Sequence, residues 1–477
     1  MKHIYVISDL HIGGEPGSSA TERGFQLNTH TAQLAAFIQL LAQQTQTHIE
    51  LVINGDLVDF LAETPWRAFE KEIEVAIKKL QTIIGREKPF FNAISQFLQS
   101  KQHTVTLLLG NHDIELALPP LRRLLEEAMG ATAANFRFLY DGEAYTIGNE
   151  LIIEHGNRYD AWNSINEENL RLLREQFSRN EPWRTTFTPP KGSVLVERVM
   201  NPLKQTYRFI DLLKPETEAA IPILIALDPQ VRTAIGEVLR IYANDFNWFK
   251  TPTTRNMGKA AIEPDDADEL VEQQLKAVFG DSEADLQEFN QAMGFNPPDT
   301  DRGEVKTRSF FTKTLSLLQL LLPGNQSELT QRLPALIKSL KLLQQPHTFS
   351  LHTETLTEYY QAAAKLAGNG FKYIIFGHTH LAKQITLPNG SVYFNTGTWA
   401  DLMTFPPQIL QPDNNNHDPN LPATFLWHLA QNHLTPYIRF KPTFVHIELS
   451  PNGTVHNIAL RQFDPVGNSF ILPQDGI

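Results

Sequence analysis

Along the first 160 positions the apolar residues fall into two alternating patterns. Short runs rich in β-branched and aliphatic residues at 3–8, 48–54 and 104–109 predict buried strands. Apolar residues recur at helical spacing over 31–44 and 68–84, and shorter helices are predicted over 89–99 and 121–129. Residues 136–140 and 150–154 predict two further strands around a Gly-containing turn. Alternation of this kind predicts a largely parallel sheet with helices on its faces. From about Asp160 to Pro346 the texture changes: 167–179, 203–213, 266–279, 315–322 and 327–343 predict helices separated by Pro-bearing loops, and strand signals nearly vanish. Strand patterns return at 373–376, 391–395, 443–449 and 455–462. The expected organisation is an α/β core in two parts, 1–159 and 351–477, interrupted by an α-helical insertion over 160–350.

Composition narrows the chemistry. The 477 residues include no cysteine, which excludes disulfides, thiolate metal sites and a cysteine nucleophile. Any transition metal must sit on His, Asp, Glu or Asn. With 53 acidic and 41 basic residues the net charge is −12, which argues against a protein that coats nucleic acid electrostatically. The longest apolar stretches, 221–227 and 315–322, fall short of the roughly 18 residues that span a bilayer, and the first strand runs straight into Asp9 and His11 rather than a leader sequence. A soluble, cytoplasmic protein is expected. The acid-rich 260–304 reads as a solvated helix face and loop, and 413–419 as a surface loop.

Five short segments sit where a predicted strand ends: Asp9-Leu10-His11, Gly55-Asp56-Leu57-Val58-Asp59, Gly110-Asn111-His112-Asp113, His155-Gly156-Asn157 and Gly377-His378-Thr379-His380. Ligands of open α/β sheets bind at the carboxyl ends of the strands, so five such loops can converge on one cleft. Borderline divalent ions take carboxylate, amide oxygen and imidazole ligands. Asp9, His11, Asp56, Asn111, His155, His378 and His380 supply that set. A lone Asp-x-His or His-x-His carries little information; five in order, each after an apolar run, point to a pair of metal ions.

On these segments the chain resembles the calcineurin-like binuclear metallophosphoesterases, over roughly 1–160 and 350–470 but not over the insertion. The resemblance implies a metallophosphoesterase-type β-sandwich flanked by helices. It also implies two divalent metal ions, with Mn²⁺ as the expectation and Zn²⁺ or Fe as alternatives. Asp9, His11 and His380 would hold the first ion, Asp56 would bridge, and Asn111, His155 and His378 would complete the second. His112, held by Asp59, would protonate the leaving oxygen or steady its charge, and a metal-bridging hydroxide would attack phosphorus. Ser8-Asp9-Leu10-His11, His155-Gly156 and the Asn395-Thr396-Gly397-Thr398-Trp399 segment are most similar to the branch of UDP-diacylglucosamine pyrophosphohydrolases. The chain departs from that branch at His112 and Asn157, where arginine and an acidic residue are usual, and in the insertion.

The expected activity is hydrolysis of a phosphodiester or pyrophosphate bond in a small molecule or nucleotide conjugate. Two alternatives are a nuclease of the same superfamily and an interaction protein whose helical insertion binds a partner. Arg158 is a candidate phosphate ligand or a solvated or ion-paired arginine, and Asp113 a turn residue or a support behind the ligands. Trp183, Tyr207, Phe209, Phe246, Trp248 and Phe249 either line a substrate pocket in a cap or form the insertion's own core. Eleven remaining histidines, His3 and His446 among them, belong to no motif.

Overall fold

The computed structural model describes residues 2–17, 24–181, 187–214, 220–243, 336–344, 347–406 and 421–476, with isolated positions between 271 and 289. The chain divides into two compact units. Met1–Glu197, His347–Leu402 and Arg439–Ile477 form the first, and Arg198–Pro346 with Met403–Ile438 the second.

The first unit carries two sheets. Strands β1 (Lys2–Ile7), β2 (His48–Asn54), β3 (His103–Leu108) and β4 (Phe136–Leu139) run parallel. Strands β5 (Tyr145–Ile147), β6 (Leu151–Ile153), β7 (Tyr373–Phe376), β8 (Lys383–Thr386) and β9 (Val392–Asn395) build the second sheet, in the order β5-β6-β7-β9-β8. Returning to the first sheet, β10 (Thr443–Leu449), β11 (Val455–Asp464) and β12 (Ser469–Ile471) extend it antiparallel beyond β1, giving the order β12-β11-β10-β1-β2-β3-β4.

Strand periodicity explains how the layers stack, because successive side chains point to opposite faces. Ile4 and Val6 pack with Val445 and Ile447 against Ile153, Ile375 and Phe394 of the second sheet, forming the middle of a sandwich. Tyr5 and Ile7 point the other way, into a core shared with helices α1 (Thr31–Ala42), α2 (Ile73–Arg86), α3 (Lys88–Leu98), α4 (Pro119–Met129) and α5 (Glu167–Ser178). Phe37 of α1 sits among Tyr5, Trp399, Phe444, Phe463 and Phe470. Truncating a Phe so placed costs about 3–5 kcal/mol.

The described residues of the second unit include helices α6 (Ala220–Leu227) and α7 (Val231–Ala243). Helix α8 (Thr357–Gly368) belongs to the first unit and covers the outer face of its second sheet through Tyr359, Ala362 and Ala363. Helix α9 (Leu421–Ala430) is again in the second unit. The side chain of Gln344 donates to the carbonyl oxygens of Lys214 and Met403 and accepts from the Phe405 N–H. Phe209 is buried with its ring 6.2 Å from Tyr207, so both contribute to packing within the second unit.

Several local expectations need correction. The helix expected over 68–84 begins at Ile73, because acidic side chains capture the preceding N–H groups: Ala68 donates to Glu197, Glu70 to Glu115 and Glu72 to Glu70. The helix expected over 203–213 is broken into Asn201–Lys204 and a 3₁₀ turn at Ile210–Leu212, with the Arg208 N–H donating to the Asn432 side chain instead. Between the strands at 136–140 and 150–154 lies a further strand, β5, which forms a hairpin with β6. The expected helices over 266–279 and 315–322, most of that over 327–343, the acid-rich 260–304 and the 413–419 loop lie wholly or largely outside the described residues, as do Trp183, Phe246, Trp248 and Phe249. Among the described residues no helix is long and apolar enough to cross a membrane.

Candidate metal centre

The loops after β1 and β2 do not diverge but stay zipped together. Leu10 and His11 both donate to the Asp56 carbonyl, Ile12 donates to Leu57, and Asp59 donates back to Ile12. Holding them so close requires unusual backbone: Asp9, His11 and Asp56 take φ of 53°, 43° and 52°, and His378 and His380 after β7 take 68° and 62°. Left-handed backbone costs a residue with a Cβ on the order of 1–3 kcal/mol and concentrates at functional sites. Five of the eight non-glycine residues in that conformation, among those described, are candidate ligands. Gly110 has no alternative, since a Cβ there would lie 2.1 Å from Asp56 Oδ1. Gly55, at φ 84°, leaves the space that the His155 ring fills.

The side chains gather in two adjoining groups. Asp9, His11 and His380 form one, with His11 Nε2 2.9 Å from His380 Nε2 and His380 Nε2 3.3 Å from Asp9 Oδ1. Asp56, His155 and His378 form the other, with His155 Nε2 3.2 Å from Asp56 Oδ2. That same Asp56 oxygen is 3.8 Å from His11 Nε2, so Asp56 lies between the groups. His155 Nδ1 donates to the Asn54 carbonyl at 2.7 Å, which leaves Nε2 as the nitrogen that faces the site and that an ion would take. Asn111 is flanked by Gly110, packed on Asp56, and by His112, whose N–H donates to Asp56 Oδ1 at 2.8 Å. Its buried Oδ1 accepts no hydrogen bond, a costly state that a cation would relieve.

Electrostatics fit a cation too. Burial alone would push the Asp9 and Asp56 carboxyls up, but the neighbouring rings outweigh it, His380 and His155 at Asp9 and His155 and His112 at Asp56. Both carboxyls are held well below the usual carboxylate range. Burial would likewise lower His155, yet the Asp56 carboxylate pulls it up to about 9. The set of two buried carboxylates and the imidazoles around them suits divalent ions, and a bound ion would displace the proton that Asp56 favours on His155.

Asp59 has two duties. Its carboxylate accepts from the Leu61 and Ala62 N–H groups, capping the 3₁₀ turn Phe60–Ala62, and its Oδ1 lies 3.2 Å from His112 Nδ1. Asp113 fixes the loop by accepting from Leu57 and Gly110 N–H groups. Arg158 is half-exposed and engaged by Glu154 and the Gly142 carbonyl. Two contributions escape sequence reasoning. Asp160 Oδ2 stands 3.2 Å from His378 Nε2, an isolated acid with no motif around it. Ser8, whose hydroxyl donates to Asp9, also contacts Thr396, while Thr398 donates to the Asp9 carbonyl, so the segment after β9 holds the first loop in place.

The family model for calcineurin-like phosphoesterases matches residues 2–210. The match supports that superfamily. It takes in the loops from Asp9 to His155, and it supports metal-dependent phosphoester hydrolysis as the class of chemistry. Members of the family are in general phosphoester hydrolases that hold divalent metals. His378 and His380 lie beyond the matched stretch, and it is the fold that brings them to the calcineurin-like loops. No curated protein and no solved structure matches the chain.

Proposed function

We propose that the chain is a two-metal phosphoesterase that hydrolyses a phosphodiester or pyrophosphate bond in a small molecule or nucleotide conjugate. The observation that carries this reading is Asp56, set between the Asp9–His11–His380 and Asp56–His155–His378 groups, with the unsatisfied Asn111 oxygen beside it. Asp9, His11 and His380 would hold one ion, and His155, His378 and Asn111 the other, with Asp56 shared. Mn²⁺ is the expected ion, and Zn²⁺ and Fe suit the same donors. Bound ions would supply positive charge against the phosphoryl oxygens and acidify water.

The remaining work falls to the chain's own groups. Asp59 orients His112 through Nδ1, which leaves Nε2 to donate a proton to the departing oxygen. The Asp59 carboxylate, held well below its ordinary value against burial by His112 and His11, stays charged and favours the protonated imidazole. Mn²⁺-dependent hydrolysis of bis-p-nitrophenyl phosphate, beside p-nitrophenyl phosphate, tests the proposal. Diester turnover that disappears in Asp56→Asn is expected; diester turnover that survives the substitution contradicts a shared carboxylate.

A further inference from the structure

A second group of metal-binding side chains lies on the flat of the first sheet, apart from the strand-end loops. Strands β1 and β10 pair antiparallel with His3 opposite Glu448 and Tyr5 opposite His446. Residues two apart on a strand, and residues opposite one another, share a face. His3, His446 and Glu448 therefore project together, and their donor atoms all lie within 4.8 Å of one another. We propose that His3, His446 and Glu448 form a separate site for a single transition-metal ion of the Zn²⁺ class.

The geometry of the two rings carries the argument. His3 Nδ1 is 3.0 Å from His446 Nε2, and the ring centres are 5.2 Å apart with planes within 13°. The two nitrogens thus point at each other. The candidate metal centre shows a similar nitrogen–nitrogen distance, 2.9 Å between His11 and His380, with the ring planes 48° apart. Bonds of about 2.0–2.1 Å to Zn²⁺ put two tetrahedral nitrogens about 3.3 Å apart, so the ion is admitted when the nitrogens part by a few tenths of an ångström and each ring pivots by roughly 35° to turn its lone pair off the nitrogen–nitrogen line. Tyr5 stacks on His446 with ring centres 4.6 Å apart and planes within 18°, a contact that holds the plane of the ring and that a pivot within that plane preserves. Glu448 adds the anionic ligand, and all three residues are half-buried, leaving a fourth position for water. The bare alternative is an N–H···N hydrogen bond between two neutral rings, with Glu448 a bystander.

An ion held there would clip the first strand to a strand 443 residues later in the chain, and binding energy of that kind adds to folding stability. The test uses untagged full-length protein, stripped with a chelator and dialysed against Zn²⁺ alone at about 1 μM free ion. Metal content is compared among wild type, His446→Ala and Glu448→Gln, with circular dichroism as the folding control. Each variant is expected to hold one equivalent less than wild type, and the difference isolates this site from the strand-end centre. Equal metal content in all three folded proteins overturns the proposal. Should His446→Ala fail to fold, Glu448→Gln decides alone. Loss of a direct ligand is expected to weaken the site by at least the roughly 10–100-fold that loss of an outer-shell partner costs. An unchanged titration means a ring-to-ring hydrogen bond and no metal site.

Discussion

Two clusters of imidazole and carboxylate occupy the same unit and are built in opposite ways. At the strand ends, Asp9, His11, Asp56 and His380 sit buried in left-handed backbone beside half-buried His378, and the loops that carry Asp9, His11 and Asp56 are zipped to each other. On the sheet face, His3, His446 and Glu448 sit at ordinary strand positions in regular register, half-buried, and the pairing of two strands alone brings them together. The first arrangement costs backbone strain that the surrounding fold must hold, the second costs none. Strained, buried donors with an unsatisfied amide oxygen suit chemistry, where geometry is fixed before a substrate arrives. An unstrained cluster on regular strands suits a clip.

Substitutions separate the two. Asp56→Asn is expected to have the largest effect, removing measurable turnover of a diester and releasing metal from the strand-end centre, as read by metal analysis. His112→Ala should lower the rate by about 10²–10⁴, least for esters with good leaving groups. An equal loss for good and poor leaving groups would sink the general-acid role. Asp160→Asn acts through His378 and should weaken metal affinity at the strand ends by about 10–100-fold, which added metal restores. Failure of high metal to recover activity would show that Asp160 does something other than orient a ligand. Glu448→Gln should leave diester turnover at the wild-type rate while removing one equivalent of Zn²⁺, because it lies outside the strand-end machinery.

A stability effect refines the picture of the core on which the first cluster rests. Burial pushes the Glu115 carboxyl from its ordinary 4.5 up to about 7, only partly offset by the Glu70 N–H and by Lys79. A carboxyl raised in the folded state holds its proton to higher pH than in the unfolded chain, so it subtracts stability as pH rises from about 4.5 through 7. Glu115→Gln should flatten the dependence of denaturation midpoint on pH across that window. A slope identical to wild type would show that Glu115 is not the titrating group.

The strand-end residues were readable in sequence because each loop announces itself locally. A β-branched run stops, a glycine follows or sits nearby, and acid or imidazole comes within two positions, as in Gly55-Asp56 and Gly377-His378-Thr379-His380. The sandwich was readable in part. Its parallel strands are apolar runs, whereas β8 carries Lys383, Gln384 and Thr386 and β12 is three residues long, so neither shows a strand pattern. The start of α2 was misplaced because apolar spacing continues back to Ala68, while the N–H groups there are taken by Glu197, Glu115 and Glu70, partners that spacing cannot reveal. His3 and His446 were invisible as a pair for the same reason. Nothing near either residue marks it, and only the register between β1 and β10 makes them neighbours.

The proposed chemistry turns on Asp56 standing between two metal ions. Anomalous diffraction from crystals grown with Mn²⁺ tests it most directly. Two separate peaks are expected, one beside Asp9, His11 and His380 and one beside Asp56, His155 and His378, and the second must lie within reach of the Asn111 oxygen. A single peak, or two peaks with Asp56 touching neither, would contradict it.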